Sequence, residues 1–110
     1  MDIYPQKGEY IRVSLDPTRG HEQKGTRPVL VISSNKLNRY GMAQVLPITH
    51  TTEGPLRMVI PAGEPVDGAI LFSQVKTLDI KERGWKSEGF ASDDVLDEAI
   101  GKCLTLITED

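Results

Sequence analysis

Residues 8–33 read GEYIRVSLDPTRGHEQKGTRPVLVIS, two apolar runs of different character joined by a stretch crowded with charge. Over residues 9–15, Ile11, Val13 and Leu15 alternate with Arg12 and Ser14, the two-residue period of a strand with one buried face. Asp16-Pro17, Gly20, Gly25 and Pro28 then mark a loop. From Pro28 to Ser33 the chain is continuously apolar and β-branched, which suits a strand covered on both sides. The loop between these runs packs His21, Glu22, Lys24 and Arg27 against the start of that second strand.

Working outward, residues 33–41 (SSNKLNRYG) predict one short helical turn, capped by Ser34 or Asn35 and stopped by Gly41. MAQVLPIT, LRMVIP, GAILFSQVKTLDI and WKSEGFA supply further strands, divided by Gly54-Pro55, Gly63 to Gly68 and Arg83-Gly84. Everything to about residue 90 reads as β apart from that turn. From Ser92 the period changes: Val95, Leu96, Ala99, Ile100, Cys103, Leu104 and Ile107 recur at helical spacing, with Asp93 and Asp94 in the first turn. The expected architecture is a small, strongly curved antiparallel sheet or open barrel with a C-terminal helix, mainly β in class. At 110 residues the chain is expected to form one domain spanning 1–110, long enough to fold without staples.

The formal net charge of −3 conceals a split. Residues 1–50 hold seven Lys/Arg against four acids, whereas residues 51–110 hold six against twelve. Such asymmetry is a hint of nucleic-acid contact, and acids solvating a C-terminal helix account for the second half equally well. The single Cys103 cannot form an internal disulfide, and no charged leader followed by an apolar run is seen, so a cytoplasmic, reducing compartment is expected.

Several chemistries fail on their own requirements. Gly20 to Arg27 nearly spells a phosphate-binding loop, but Thr26 and Arg27 stand where the lysine and hydroxyl belong, and a strand follows instead of a helix. One cysteine and two histidines 29 positions apart offer no metal pair. Cys103 lies on the apolar helical stripe, and no G-x-S-x-G turn is present. What is left is the loop stretch with Thr49-His50 at the end of the next strand. Cleaving RNA through its 2'-hydroxyl takes a base, a proton donor for the departing 5'-oxygen and positive charge on the phosphorane. Arg27 suits the last task, His21 and Glu22 could exchange protons, and Thr49 could hold a phosphate oxygen. A plainer account also fits these residues: Arg27 pairs with Asp16 across the loop, His21 faces solvent and Thr49 ends a strand.

The run GEYIRVSLDPTRGHEQKGTRPVLVIS, continuing through NRYGMAQVLPIT, GAILFSQVKTLDIKERG and LTLIT, closely resembles the MazF/PemK/Kid toxins of bacterial toxin and antitoxin pairs over essentially the whole chain. The resemblance implies an SH3-like barrel of about seven strands with a C-terminal helix, a two-fold homodimer, and sequence-specific, metal-independent endoribonuclease activity on single-stranded RNA. It implies ends bearing a 2',3'-cyclic phosphate and a 5'-hydroxyl, an antitoxin with an acidic, disordered tail, no cofactor and no membrane. Position by position, Arg27 matches the arginine of the R-P pair, assigned to phosphate stabilisation or proton transfer, and Thr49 the hydroxyl residue after the third strand. His21 and Glu22 match the H-E or S-E pair, while Gln23 and Lys24 lie in the loop that meets substrate.

One departure stands out. Where the Kid branch carries an arginine and an aspartate ahead of its Q-[VP]-[KR]-[TS] run, this chain has Leu71 and Ser73. That leaves Glu22 first and His21 second as the expected base. Ser73, Gln74 and Lys76 are expected to line the RNA groove, or to solubilise a half-exposed strand. His50 stands where relatives carry small polar residues, so it either adds a base contact particular to this chain or is inert. Trp85 either stacks a base, anchors the antitoxin or closes the barrel end. Two rival functions share the fold: a gyrase-poisoning toxin, which uses a C-terminal tryptophan where this chain ends Thr108-Glu109-Asp110, and a catalytically degenerate antitoxin-binding module.

Overall fold

The computed structural model describes residues 4–16 and 25–109. Within them, strands β1 (Glu9–Ser14), β2 (Thr26–Val31), β3 (Met42–Thr49), β4 (Met58–Val59), β5 (Ala69–Ile70), β6 (Lys76–Asp79) and β7 (Lys86–Phe90) alternate with short helices α1 (Asn35–Asn38) and α2 (Ile80–Arg83) before the long helix α3 (Asp93–Thr108). All pairings are antiparallel, in the order β4-β5-β3-β2-β1-β7, with β6 also on β3.

The double-sided burial expected for β2 is what the structure has. Leu30 points into one apolar cluster with Tyr10, Leu46, Ile48, Ile70 and the α3 residues Val95, Ala99 and Cys103. Val29 and Val31 point into a second, with Ile11, Val13, Leu15, Ala43, Val45, Leu78 and Ile80. One strand thus serves two cores, which is why no position from Val29 to Val31 is polar. β1 departs from its expected single buried face, because Tyr10 is fully buried on the side opposite Ile11 and Val13. Trp85 packs against the second cluster, the barrel-closing role among those considered.

Three strand expectations need correction. GAILFSQVKTLDI is not one strand: β5 pairs with the Ile48–Thr49 end of β3 and β6 with the Met42–Val45 end, so both lie along one edge of the same partner. Along β5 the paired numbers sum to 118 and along β6 to 121, so three extra residues are looped out between them, closed by Gln74 N donating to Leu71 O at 3.1 Å. LRMVIP contributes only Met58–Val59 as strand, with Ile60 N still bonded to Gly68 O. Ile80, read as the last residue of the GAILFSQVKTLDI strand, instead opens the turn α2: Asp79 Oδ1 accepts from Glu82 N, and Gly84 N closes on Ile80 O.

Helix α3 begins where its cap residues predict, with Ser92 Oγ accepting from Val95 N at 3.3 Å. Its buried stripe is narrower than expected: Val95, Ala99 and Cys103 are covered, while Leu104 and Ile107 are 50% and 71% exposed. The helix is tied to the sheet by Glu64, whose carboxylate accepts from the Tyr10 hydroxyl at 2.7 Å and from Ser92 N at 3.3 Å. A second polar clamp lies at the other end. There the fully buried Asn38 amide donates to Ser33 O while Ser33 Oγ accepts from Gln44 N, holding α1 against β3. No helix among the described residues is long and apolar enough to cross a membrane.

Two measurements follow from this packing. Leu30→Ala is expected to cost about 2–5 kcal/mol, read by urea unfolding, since it empties the layer between the sheet and α3. Burial, reinforced by Glu64, raises the Tyr10 phenol above its ordinary pKa of 10, so the folded chain keeps a proton that the unfolded chain releases. Stability due to this group is complete below about pH 10 and falls as pH rises further. Tyr10→Phe should be less stable at neutral pH by about 1 kcal/mol yet lose less on going to alkaline pH. Parallel pH profiles of the two proteins would show the hydroxyl to be energetically silent.

Candidate functional site

Arg27 is the second residue of β2, opposite Val13 on β1, and its position is fixed from both sides of the loop stem. Leu15 N donates to Gly25 O at 2.9 Å, and the Asp16 carboxylate accepts from Gly25 N at 3.1 Å. Gly25 has φ +82°, a backbone state that L side chains adopt only under strain, so the stem favours glycine there. Arg83, at the end of α2, donates from one guanidinium nitrogen to Ser14 O at 2.7 Å and also to Asp16 O. The Asp16 carboxylate, which the plainer account of the sequence pairs with Arg27, accepts from Gly25 N.

Thr49 closes β3. Its hydroxyl oxygen accepts from Thr51 N at 3.2 Å, which orients the group and leaves the hydroxyl proton free to be donated. The residue is only 6% exposed, walled by β5, whose approach requires Gly68: a Cβ there would lie 2.4 Å from Thr49 O. The β2–β3 register pairs Val29 with Pro47, and Arg27 and Thr49 each stand two residues beyond that pair on their own strands. Residues two apart on a strand share a face, so both project on the side of the Val29, Val31 and Val45 cluster. Lys76, opposite Val45, belongs to the same face.

The remaining expected residues fall around this trio. Ser73 is exposed and Gln74 half-buried on the three-residue excursion between β5 and β6, beside the middle of β3. His50 is exposed, immediately beyond Thr49. Leu71 is 2% exposed and bonded through its N–H to Pro47 O, so that position serves the core. His21, Glu22, Gln23 and Lys24 lie outside the described residues. Among the described residues, no three His, Cys, Asp or Glu side chains are grouped to hold a metal ion. Two cations and the hydroxyl of a buried threonine on one sheet face make an arrangement suited to a phosphate group carrying extra negative charge.

Sequence reasoning missed Arg83 and Gly68. A local signal for Arg83 exists: Asp79 and Gly84 bracket DIKERG as a cap residue and a stop, which marks a helical turn and brings Arg83 round to the stem. Gly68 carries no such signal, since its need arises from the carbonyl of a residue nineteen positions earlier.

Comparison with known proteins gives consistent results. A family model described as the PemK-like, MazF-like toxin of type II toxin-antitoxin system matches residues 6–107. The chain is 35% identical over 109 residues to Endoribonuclease PemK of Escherichia coli, covering 94% of this chain and 82% of that one. It is also 35% identical over 104 residues to Endoribonuclease toxin MazF of Escherichia coli strain K12, covering 94% of each. Among solved structures, MazF (Form-I) from Deinococcus radiodurans superposes with a TM-score of 0.89 at 34% identity, over 96% of this chain and 98% of that one. A MazE–MazF structure (Form-II) from the same organism gives 0.82 at 29% identity, over 99% and 100%.

Because Arg83 supplies a charged donor to two backbone carbonyls of the stem, Arg83→Ala should destabilise the chain by about 1–3 kcal/mol in urea unfolding. A difference within a few tenths of a kcal/mol would mean that water replaces the guanidinium without loss.

Proposed function

The chain belongs to the PemK-like, MazF-like toxins of type II toxin-antitoxin systems, and on that premise we propose that it is an endoribonuclease that cuts single-stranded RNA at a short sequence without a metal ion. The observation that carries this reading is that strand alternation puts Arg27 and Thr49 on the sheet face that also bears Lys76. In the proposed reaction the 2'-hydroxyl oxygen forms a bond to the adjacent phosphorus as its proton passes to a base. The bond to the 5'-oxygen breaks, and that oxygen takes a proton from an acid. The products are a 2',3'-cyclic phosphate and a 5'-hydroxyl. Arg27, always protonated and planar, stabilises the phosphorane, and Thr49 donates its hydroxyl proton to a phosphate oxygen. Both are carried by hydrogen-bonded strand, so little reorganisation accompanies charge development.

Glu22 is assigned as base and His21 as its alternative, with Gln23 and Lys24 as RNA contacts. Gln74, Ser73 and His50 would meet the strand on either side of the scissile bond, and Lys76 a neighbouring phosphate. The reading includes one toxin domain spanning 1–110, a homodimer, residence in the cytoplasm, and inhibition by an antitoxin through an acidic segment that competes for the same cations. A cleaving toxin of this kind removes messenger RNA and so stops translation and growth. It is supported by the identity to proteins named endoribonucleases and by the likeness to a toxin solved with its antitoxin.

The test is incubation of the purified protein with a long, weakly structured RNA and a matching DNA in excess EDTA, followed by sequencing of the cut ends. RNA-only cleavage at a recurring short motif is expected, with Arg27→Ala slower by on the order of 10²- to 10³-fold, as for loss of one fixed oxyanion donor. Full activity in that variant would remove Arg27 from the reaction. No cleavage by a folded protein would instead favour an antitoxin-binding module. Glu22→Gln and His21→Ala separate base from binder, since loss of a base lowers kcat whereas loss of uniform binding raises KM.

A further inference from the structure

At the Met42 end of β3, opposite to Thr49, the surface holds a cavity of about 240 Å³ lined by Tyr4, Arg39, Tyr40, Gly41, Ile80 and Lys81. Its floor is firmly built: Gly41 O accepts from both Ile80 N at 2.8 Å and Lys81 N at 3.2 Å, joining the turn before β3 to α2. Gly41, at φ +90°, brings its backbone so close to α2 that a Cβ there would lie 3.0 Å from Lys81 Cβ. On this floor the Tyr40 ring stands 71% exposed, with the Arg39 guanidinium 5.1 Å from its centroid and bonded to its hydroxyl at 3.3 Å. An exposed tyrosine held by a cation presents a stacking face at low entropic cost.

The charge is as telling as the rings. None of the six lining residues is acidic, although the chain as a whole carries −3. Arg12 is matched by Glu88, Lys102 by Glu98, and Arg83 by backbone carbonyls, whereas among the described residues neither Arg39 nor Lys81 has a carboxylate partner. Two tyrosines and two cations without a described carboxylate partner, around a small cavity, are the groups that hold a single-stranded nucleic acid without reading it: a base on the ring, phosphates on the cations. An acidic peptide would use the cations and leave the rings idle. The volume is below that of a drug-sized site and fits one base rather than a larger ligand.

We propose that the Tyr4–Arg39–Tyr40–Lys81 cavity is a second RNA contact, which stacks one base of the substrate strand away from the scissile bond. This rests on the reading of the chain as a ribonuclease acting on single-stranded RNA. β3 spans eight residues, so the cavity lies roughly 25 Å along the strand from Thr49. A substrate must therefore extend several nucleotides beyond the cut to reach it. The contact adds affinity to long substrates and nothing to short ones.

The experiment uses two 2'-O-methylated, fluorescently labelled oligoribonucleotides that cannot be cut, one of about five residues around the cleavage motif and one of about twenty, titrated by anisotropy. The wild type is expected to hold the long one more tightly than Tyr40→Ala by about five- to a hundred-fold, the worth of one stacked base, while both hold the short one equally. Tyr40→Phe should retain the advantage and Lys81→Ala should lose part of it. Tyr40 is exposed, and unchanged unfolding curves would show that the fold survives these substitutions. With cleavable RNA the same variants should raise KM for the long substrate and leave kcat untouched. Equal affinity of wild type and Tyr40→Ala for the long oligonucleotide overturns the proposal. So does a polyglutamate peptide that binds through Arg39 and Lys81 while RNA ignores Tyr40, an outcome that would make the cavity a protein-docking site. If the wild type cuts no RNA but the Tyr40-dependent difference in binding persists, the ribonuclease reading fails and the second contact stands.

Discussion

The burial of β2 on both faces is the constraint from which the rest of the structure descends. A strand whose alternate residues feed two apolar clusters must have a layer on each side and a strand on each edge, or its side chains meet water. β1 and β3 supply the edges, α3 covers the Leu30 side, and the curl of the sheet with α2 and Trp85 closes the side of Val29 and Val31. Register is then fixed, because a slip of one residue would exchange the two clusters. The strand also has a sharply defined entrance, since apolar burial begins at Pro28 and the residue before it, Arg27, is held at the rim.

That rim is where the proposed chemistry sits, for a physical reason. A guanidinium that must stabilise a transition state gains from immobility, and immobility is cheapest at the end of an element that cannot move for packing reasons. Thr49 obtains the same benefit from the opposite direction, as the last residue of a strand paired on both edges. Asp16 and Gly25 are held to this frame by a backbone bond, one carboxylate and Arg83.

β3 has an equally organising role along its length. One edge receives β5 and β6 in succession, so a segment that reads as continuous strand must eject three residues between them. The ejected residues include Ser73 and Gln74, lifted beside the middle of β3 rather than lying flat in the sheet. The two ends of β3 carry different polar constructions, the hydroxyl of the buried Thr49 and an exposed, cation-backed ring at Tyr40.

The sequence by itself determined the class of the fold and much of its content. The apolar run after Pro28 required double coverage, the period change at Ser92 required a helix, and the glycine and proline clusters divided the strands. These are local signals, because alternation, capping and turn chemistry act within a few residues. The residues Arg27 and Thr49 were also legible, one from its place at a strand entrance and both from family likeness. Tertiary structure alone decided what depends on distant partners. It put Arg27 and Thr49 on one face through the pairing of β2 with β3, broke one apparent strand into β5 and β6 because both compete for one edge, and swung Arg83 onto the carbonyls of Ser14 and Asp16. It left Leu104 and Ile107 exposed although their periodicity continued, because periodicity records a helix's face and only packing decides how far along that face the core extends.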